Sequence, residues 1–278
     1  MKSPILVLLG MAIGACSSSD EPAKTTADAS VDAEAATPSK YLSVFMIERW
    51  ARTDPKAEHT MTGVITVHTD DTMPRVVTID EHCRLHEGIW SGKQPGFGPI
   101  RMQGTDIGEV EWTQDELGGA GYEHSTGIPV WNTGSKLKLV VGSATFPGFE
   151  LEDTVPAQAV LTSHDFVAMK ANELQLRRDG TLDLAWTPVS TEVFTLVLQF
   201  VVATGGNTLA KRGLWCFYPG AQGKATIPNG ALSRLEPTST GLLTNLYFGG
   251  ASRKRLALDR VDVEMVTWKG QAVRATVP

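Results

Sequence analysis

The chain has 278 residues, a formal net charge of −6 and 42% hydrophobic residues. That length suits two small domains or one large β-unit. The acidic balance argues against nucleic acid as a partner, because phosphate contacts need a basic surface.

The first forty residues concern location. Lys2 is a short positive region, Ile5 to Ile13 an apolar run, and Gly14 and Ala15 are small residues ahead of Cys16. This is the layout of a secretory signal over residues 1–15, which takes no part in the fold. The run is too short to span a bilayer as a helix, which takes about 20 residues. No later run is long and apolar enough to do so. The ending Ile13-Gly14-Ala15-Cys16 resembles the lipobox of bacterial lipoproteins. The resemblance implies cleavage before Cys16 and a diacylglycerol thioether on its sulfur. It also implies, commonly, a third acyl chain such as palmitate on the new amino group. Ordinary signal cleavage, leaving Cys16 free, is the alternative. Each buried methylene contributes about 0.8 kcal/mol, so two or more chains make a stable anchor. The implied partner is therefore a membrane surface. Ser17 follows the cysteine, and by resemblance to Gram-negative lipoproteins that implies the outer membrane of the cell envelope.

Residues 16–40 form the tether. Ser17–Lys40 has no aromatic residue and almost no large aliphatic one. It cannot bury enough apolar surface to offset its ordering entropy. As a coil of about 25 residues it would reach roughly 25–30 Å from the lipid.

The rest reads as all-β. "KLKLVV" sets Leu137, Leu139 and Val141 against Lys136 and Lys138. "LDLAW" turns Leu182, Leu184 and Trp186 inward, and Glu192–Val202 is apolar on both faces, as a central strand is. "VDVEMVTW" sets Asp262 and Glu264 opposite Val261, Val263 and Met265. Such alternation is the strand signal. Asp179-Gly180 reads as a tight hairpin turn, and Asp70-Asp71, Gly118-Gly119 and Gly249-Gly250 as further turns. Pro228–Glu236 could make one or two helical turns. A break near residues 152–165 divides the chain into an N-terminal β-domain (41–155) and a C-terminal domain (156–278). The second holds about seven strands, which suits an immunoglobulin-like β-sandwich. "GTLDLAWTP", a long strand, then "LWCFYPG" and "ATIPNGAL" resemble the C-terminal β-domain of bacterial surface lipoproteins. That family has no assigned chemistry, so the resemblance implies a fold and not an activity.

Two cysteines fall in this body, Cys83 and Cys216. An oxidising envelope permits a disulfide between them; Cys216 would otherwise be a small buried hydrophobe. The densest polar cluster is "DEHCRLHEG", Asp80 to Gly88. Cys83 and His86 have C-x-x-H spacing, and His82 lies four residues before His86. Zinc takes thiolate and imidazole, but a second ligand pair is absent, and the two histidines would share a face only on a helix. A solvated loop is the expectation, so no metal is assigned. Ser163-His164-Asp165 has triad residue types without triad geometry. Gly92–Gly98 is a glycine-rich surface loop and not a phosphate cradle. Asp106, Asp153, Asp179 and Asp183 lack a calcium-loop pattern. Arg253-Lys254-Arg255 reads as a solvated turn.

The expectation is an envelope lipoprotein that binds at the cell surface, is not an enzyme and needs no cofactor. Its partner beyond the membrane would be a protein or polysaccharide. Two alternatives stay open. One is a carbohydrate-binding protein using Trp90, Trp112 or Trp131; the other is a metal-dependent enzyme using His82, Cys83 and His86.

Overall fold

The structure, a computed structural model, describes residues 40–51, 58–69, 75–87, 97–114, 120–126, 129–143, 147–164, 173–202, 208–258 and 261–278. Among the described residues nine strands precede residue 155: β1 Lys40–Ala51, β2 Glu58–Thr69, β3 Arg75–Thr78, β4 Cys83–Glu87, β5 Phe97–Thr105, β6 Gly108–Gln114, β7 Ala120–Thr126, β8 Lys136–Ser143 and β9 Phe149–Thr154. Seven follow: β10 Leu174–Gln175, β11 Leu182–Ala185, β12 Glu192–Val202, β13 Thr208–Pro219, β14 Lys224–Ile227, β15 Leu242–Leu258 and β16 Val261–Thr276. One short helix, α1 Asn229–Leu232, lies between β14 and β15. The chain is all-β, as the alternation predicts, and its strands form more than one sheet. Among the described residues no helix is long and apolar enough to cross a membrane.

The main sheet runs in the order β3-β4-β13-β12-β15-β16-β1-β2-β7-β6-β5-β8-β9. Strand β12 is apolar on both faces because it lies inside, between β13 and β15. Strand β4 pairs with β13 and carries β3 on its outer edge, and β1 pairs parallel with β16. Hydrogen bonding therefore crosses the expected boundary between residues 155 and 156. The segment 155–161 does not behave as a linker. Val155, Ala159 and Leu161 are buried, and the Thr187 N–H donates to the Val160 carbonyl at 3.0 Å.

The long antiparallel hairpin β15–β16 carries two cores. Leu246 and Phe248 of β15, with Val273 and Ala275 of β16, pack with β11, β14, α1 and Trp186. Further along the same hairpin, Val261, Val263 and Met265 pack with Ile100, Met102, Val110, Leu137, Leu139 and Trp131. The register between β15 and β16 is unbroken, so alternation keeps both sets on one face.

Glycines mark the joint between the two cores. Gly249-Gly250 is not a turn; it lies mid-strand in β15, with Gly249 paired to Gly270. A Cβ on Gly249 would fall 2.3 Å from the Lys269 carbonyl oxygen, and one on Gly270 would fall 2.2 Å from that of Phe248. One on Gly250 would fall 1.8 Å from the Ala157 carbonyl oxygen. The glycines are there for room.

A polar band crosses the same level. The buried Asp153 carboxylate accepts hydrogen bonds from Ser252 Oγ and Thr267 Oγ1, both at 2.7 Å, and from the Thr154 N–H at 2.8 Å. Lys269 Nζ donates to the Trp131 carbonyl at 2.8 Å. Buried polar groups persist where they find such partners.

Three local readings change. Asp179-Gly180 does turn, but its flanking strands do not pair: β10 joins β16 and β11 joins β14. Glu264 is 2% exposed, because β16 lies between β15 and β1; its cross-strand neighbour Arg255 bonds it at 3.3 Å. Arg253-Lys254-Arg255 is strand β15, not a turn.

Gly250→Ala is expected to cost about 3 kcal/mol or more, since backbone and not a flexible side chain blocks the methyl. Gly230→Ala, in α1 with nothing within 4 Å, is expected to be neutral or slightly stabilising. Thermal unfolding of both variants checks the contrast; equal midpoints would remove the packing account.

Candidate functional site

The site begins with a turn. Between β3 and β4, Asp80 Oδ1 accepts the backbone N–H groups of His82 at 2.8 Å and Cys83 at 2.6 Å. The Ile79 N–H donates to the Cys83 carbonyl at 2.9 Å. Aspartate suits this role because its short side chain bonds backbone just ahead of it. The Phe217 N–H then donates to the His82 carbonyl at 3.1 Å, docking the turn on β13.

Cys83 stands opposite Cys216 in the β4–β13 register, and the two form a disulfide with Cα atoms 4.2 Å apart. Both are 0% exposed and pack with Leu85, Leu214 and Tyr218. The Tyr218 hydroxyl lies 3.3 Å from Cys83 Sγ and donates to the Thr226 carbonyl at 3.3 Å. Burial, with a smaller push from the Asp80 carboxylate, holds its phenol well above the ordinary tyrosine value.

Alternation sends the neighbours of both cysteines to the other face. There His82, Arg84 and His86 stand on the β4 side, and Trp215, Phe217 and Pro219 on β13. They line a cleft of about 260 Å³. Residues 80–87 of "DEHCRLHEG" are thus a turn followed by a paired strand, not a loop. His82 and His86 do share a face without a helix, because even spacing on a strand does the same.

The floor of the cleft is aromatic. Phe194 stacks on Phe217 with centroids 4.4 Å apart, and the His86 ring lies 5.1 Å from Trp215. Arg253 from β15 rests over Phe217 at 4.1 Å, a cation–π distance. Its guanidinium grips the Glu192 carboxylate in a two-point fork, Nε at 2.7 Å. Glu81 stands at the rim, 3.5 Å from His82 and 85% exposed.

The metal reading separates on this geometry. Cys83 faces the core, oxidised to a disulfide, while His82 and His86 face the cleft. Among the described residues no group of three His, Cys, Asp or Glu side chains could hold a metal ion. The four aspartates do not gather either. Asp106 accepts from Asn132, Asp153 lies in the polar band, Asp179 pairs with Arg177 and Asp183 accepts from Thr226.

Trp112 and Trp131 are 4% and 0% exposed, so neither offers a sugar platform. Both belong to the second core: Trp112 is turned inward by alternation along β6, and Trp131 enters from the bend before β8. Ser163 Oγ does reach His164 Nδ1, at 2.9 Å, since these residues lie in a bend and not a strand; the same oxygen accepts the Ala185 N–H. Within Gly92–Gly98 the last residues already belong to β5. Cys16, Trp90, Asp165, Asp70-Asp71 and Gly118-Gly119 lie outside the described residues.

Sequence reasoning missed Trp215, Phe217, Glu192 and Arg253 as site residues. One signal was available. Trp215 and Phe217 flank Cys216 as His82 and Arg84 flank Cys83, so any pairing of the cysteines brings these four together on the reverse face.

Two measurements test this arrangement. The disulfide closes a loop with a sequence separation of 133 residues. Opening that loop is expected to cost about 5 kcal/mol in the chain-entropy account. Denaturant unfolding with and without reductant reads the difference, and coincident curves would overturn the staple. Tyr218 is expected to stay neutral past pH ~10. Its raised folded-state value contributes stability that is full below that pH and lost as pH climbs above it. A tyrosinate absorbance titration of the protein and Tyr218→Phe isolates the late step; ionisation at the ordinary value would contradict the burial.

No family model matches the chain, and no curated protein matches it. Similar solved structures include the yeast delta-COP-I mu-homology domain complexed with a Dsl1 WxWxV peptide and the yeast delta-COP-I mu-homology domain. Each is 10% identical over 86% of this chain and 98% of its own, with TM-scores of 0.22 and 0.21. Likeness at that level carries no argument.

Proposed function

We propose that this is a lipid-anchored protein of the bacterial cell envelope that binds a ligand or partner at the outer-membrane surface and does not turn it over. The observation that carries the reading is the stretch Ile13-Gly14-Ala15-Cys16, followed by the polar spacer Ser17–Lys40. A lipobox cysteine supplies the anchor, and a segment without apolar bulk supplies a tether. The buried disulfide is in keeping with an oxidising compartment. The cleft beside it gives the body a concave polar and aromatic surface, the usual shape of a small-molecule site.

Intact mass of the full-length chain, taken from the membrane fraction of a bacterial host, tests the anchor. The expected species begins at Cys16 and carries the mass of added acyl chains. Cys16→Ser is expected to abolish acylation and leave the membrane fraction. An unacylated wild-type chain would overturn the anchor, and saturable turnover of a substrate by the purified protein would overturn the binding role.

A further inference from the structure

We infer that the Cys83–Cys216 disulfide is a redox latch. It holds residues 75–87, a strap made of β3, its turn and β4, against the edge of β13. Reduction by a dithiol frees the strap while the rest of the sheet stays folded. The inference needs neither the lipid anchor nor the binding role.

Topology makes the strap separable. Strand β4 is seated on β13, whereas β2 and β5, which precede and follow the strap in the chain, lie beyond β16 in the sheet order. Strand β3 ends the sheet and pairs with β4. Among the described residues, every backbone hydrogen bond that leaves the strap goes to β13. That attachment is short. It is a five-residue register, Cys83–Glu87 against Arg212–Cys216, with the Phe217 N–H on the His82 carbonyl at 3.1 Å.

Burial adds little to it. Of the thirteen residues 75–87, three are buried: Cys83, Leu85 and His86. Along β16, twelve of sixteen are. Val77 and Ile79 only partly enter the first core. Elements with few buried apolar side chains open at a lower free energy than the core does. One of the three buried residues is the bonded cysteine itself. Without the bond, Leu85 is the one buried aliphatic side chain that seats the strap.

The latch has an access route. Both cysteines are 0% exposed, but Cys83 begins β4 directly behind a turn whose Asp80 and Glu81 are exposed. Asp80 Oδ1 pins that turn through the His82 and Cys83 N–H groups. Fraying from the turn brings the sulfurs to solvent. A thiolate of the dithiol then attacks one sulfur, breaking the S–S bond and forming a mixed disulfide, and its second thiol displaces the cysteine. Two electrons and two protons pass to Cys83 and Cys216, and the reductant leaves as a cyclic disulfide. Release uncovers the β13 edge, a row of backbone groups able to pair with another strand. It also removes the His82, Arg84 and His86 side of the cleft. Oxidising conditions keep the latch shut.

Peptide-resolved hydrogen exchange of the detergent-solubilised full chain, with and without dithiothreitol, tests the latch; alkylation at Cys83 and Cys216 reads the state of the bond. On reduction the amides of Cys83–Glu87 are expected to exchange at least about a hundredfold faster, while β12, β15 and β16 remain protected. Asp80→Ala, which frees two turn donors, is expected to speed reduction by about tenfold. Asp179→Ala, on an exposed turn outside the strap, is expected to leave the rate unchanged. A bond that dithiothreitol leaves intact, a strap still protected once both cysteines are reduced, protection lost from all strands together, or a rate indifferent to Asp80→Ala would each overturn the latch.

Discussion

The fold depends on backbones that approach more closely at Gly249, Gly250 and Gly270 than any side chain allows. A Cβ on Gly249 would meet the Lys269 carbonyl, and one on Gly250 would meet the Ala157 carbonyl, in both cases far inside contact distance. Because Gly250 carries nothing that protrudes, segment 155–161 can pass over the β15–β16 hairpin on the face that serves two cores, while Gly249 and Gly270, paired on the opposite face, let the two strands approach each other. On one side of the joint the two-core face packs with β11, β14 and α1; on the other it packs with the β5, β6, β8 and β9 strands. Asp153, Ser252, Thr267 and Lys269 occupy the level between, where close backbones leave room for polar groups that satisfy one another. Hydrophobic burial supplies the drive on either side, and the glycines decide where it can act.

The same economy of two faces produces the cleft. Strands β4 and β13 each send a cysteine inward and its neighbours outward, so one cross-strand bond fixes the spacing of six residues at once. The core face is dry and closed by the disulfide and Tyr218. The cleft face carries the charged and ionisable groups, and their disposition is uneven. Arg253 holds Glu192 and covers Phe217 together, which no single pairing would achieve. Arginine suits this place because its planar guanidinium can fork to a carboxylate while lying flat on a ring.

Charges within strands were the hardest to read from the chain. Arg253-Lys254-Arg255 has the composition of a solvated turn, yet Arg253 and Arg255 are drawn into ion pairs with Glu192 on β12 and Glu264 on β16. Gly249-Gly250 has the composition of a turn for a similar reason: the residue that permits a sharp bend also permits close approach. "DEHCRLHEG" looked like a loop because few of its residues favour strands. Its Cys83–Glu87 part is held extended by its neighbour β13, a partner more than a hundred residues away in the chain.

By itself the sequence determined the all-β class, the course of β8, β11, β12 and β16, the turn at Asp179-Gly180 and the short helix after Pro228. These are legible because alternation, turn chemistry and helix starts act over a few neighbouring residues. Tertiary structure alone decided which strands pair. It thereby decided that Cys83 meets Cys216, that Trp112 and Trp131 are core, and that His82, His86, Trp215 and Arg253 share a cleft. The physical reason is that a strand satisfies none of its backbone hydrogen bonds within itself: its N–H and C=O groups point sideways, and whichever strand arrives to bond them sets what its side chains face.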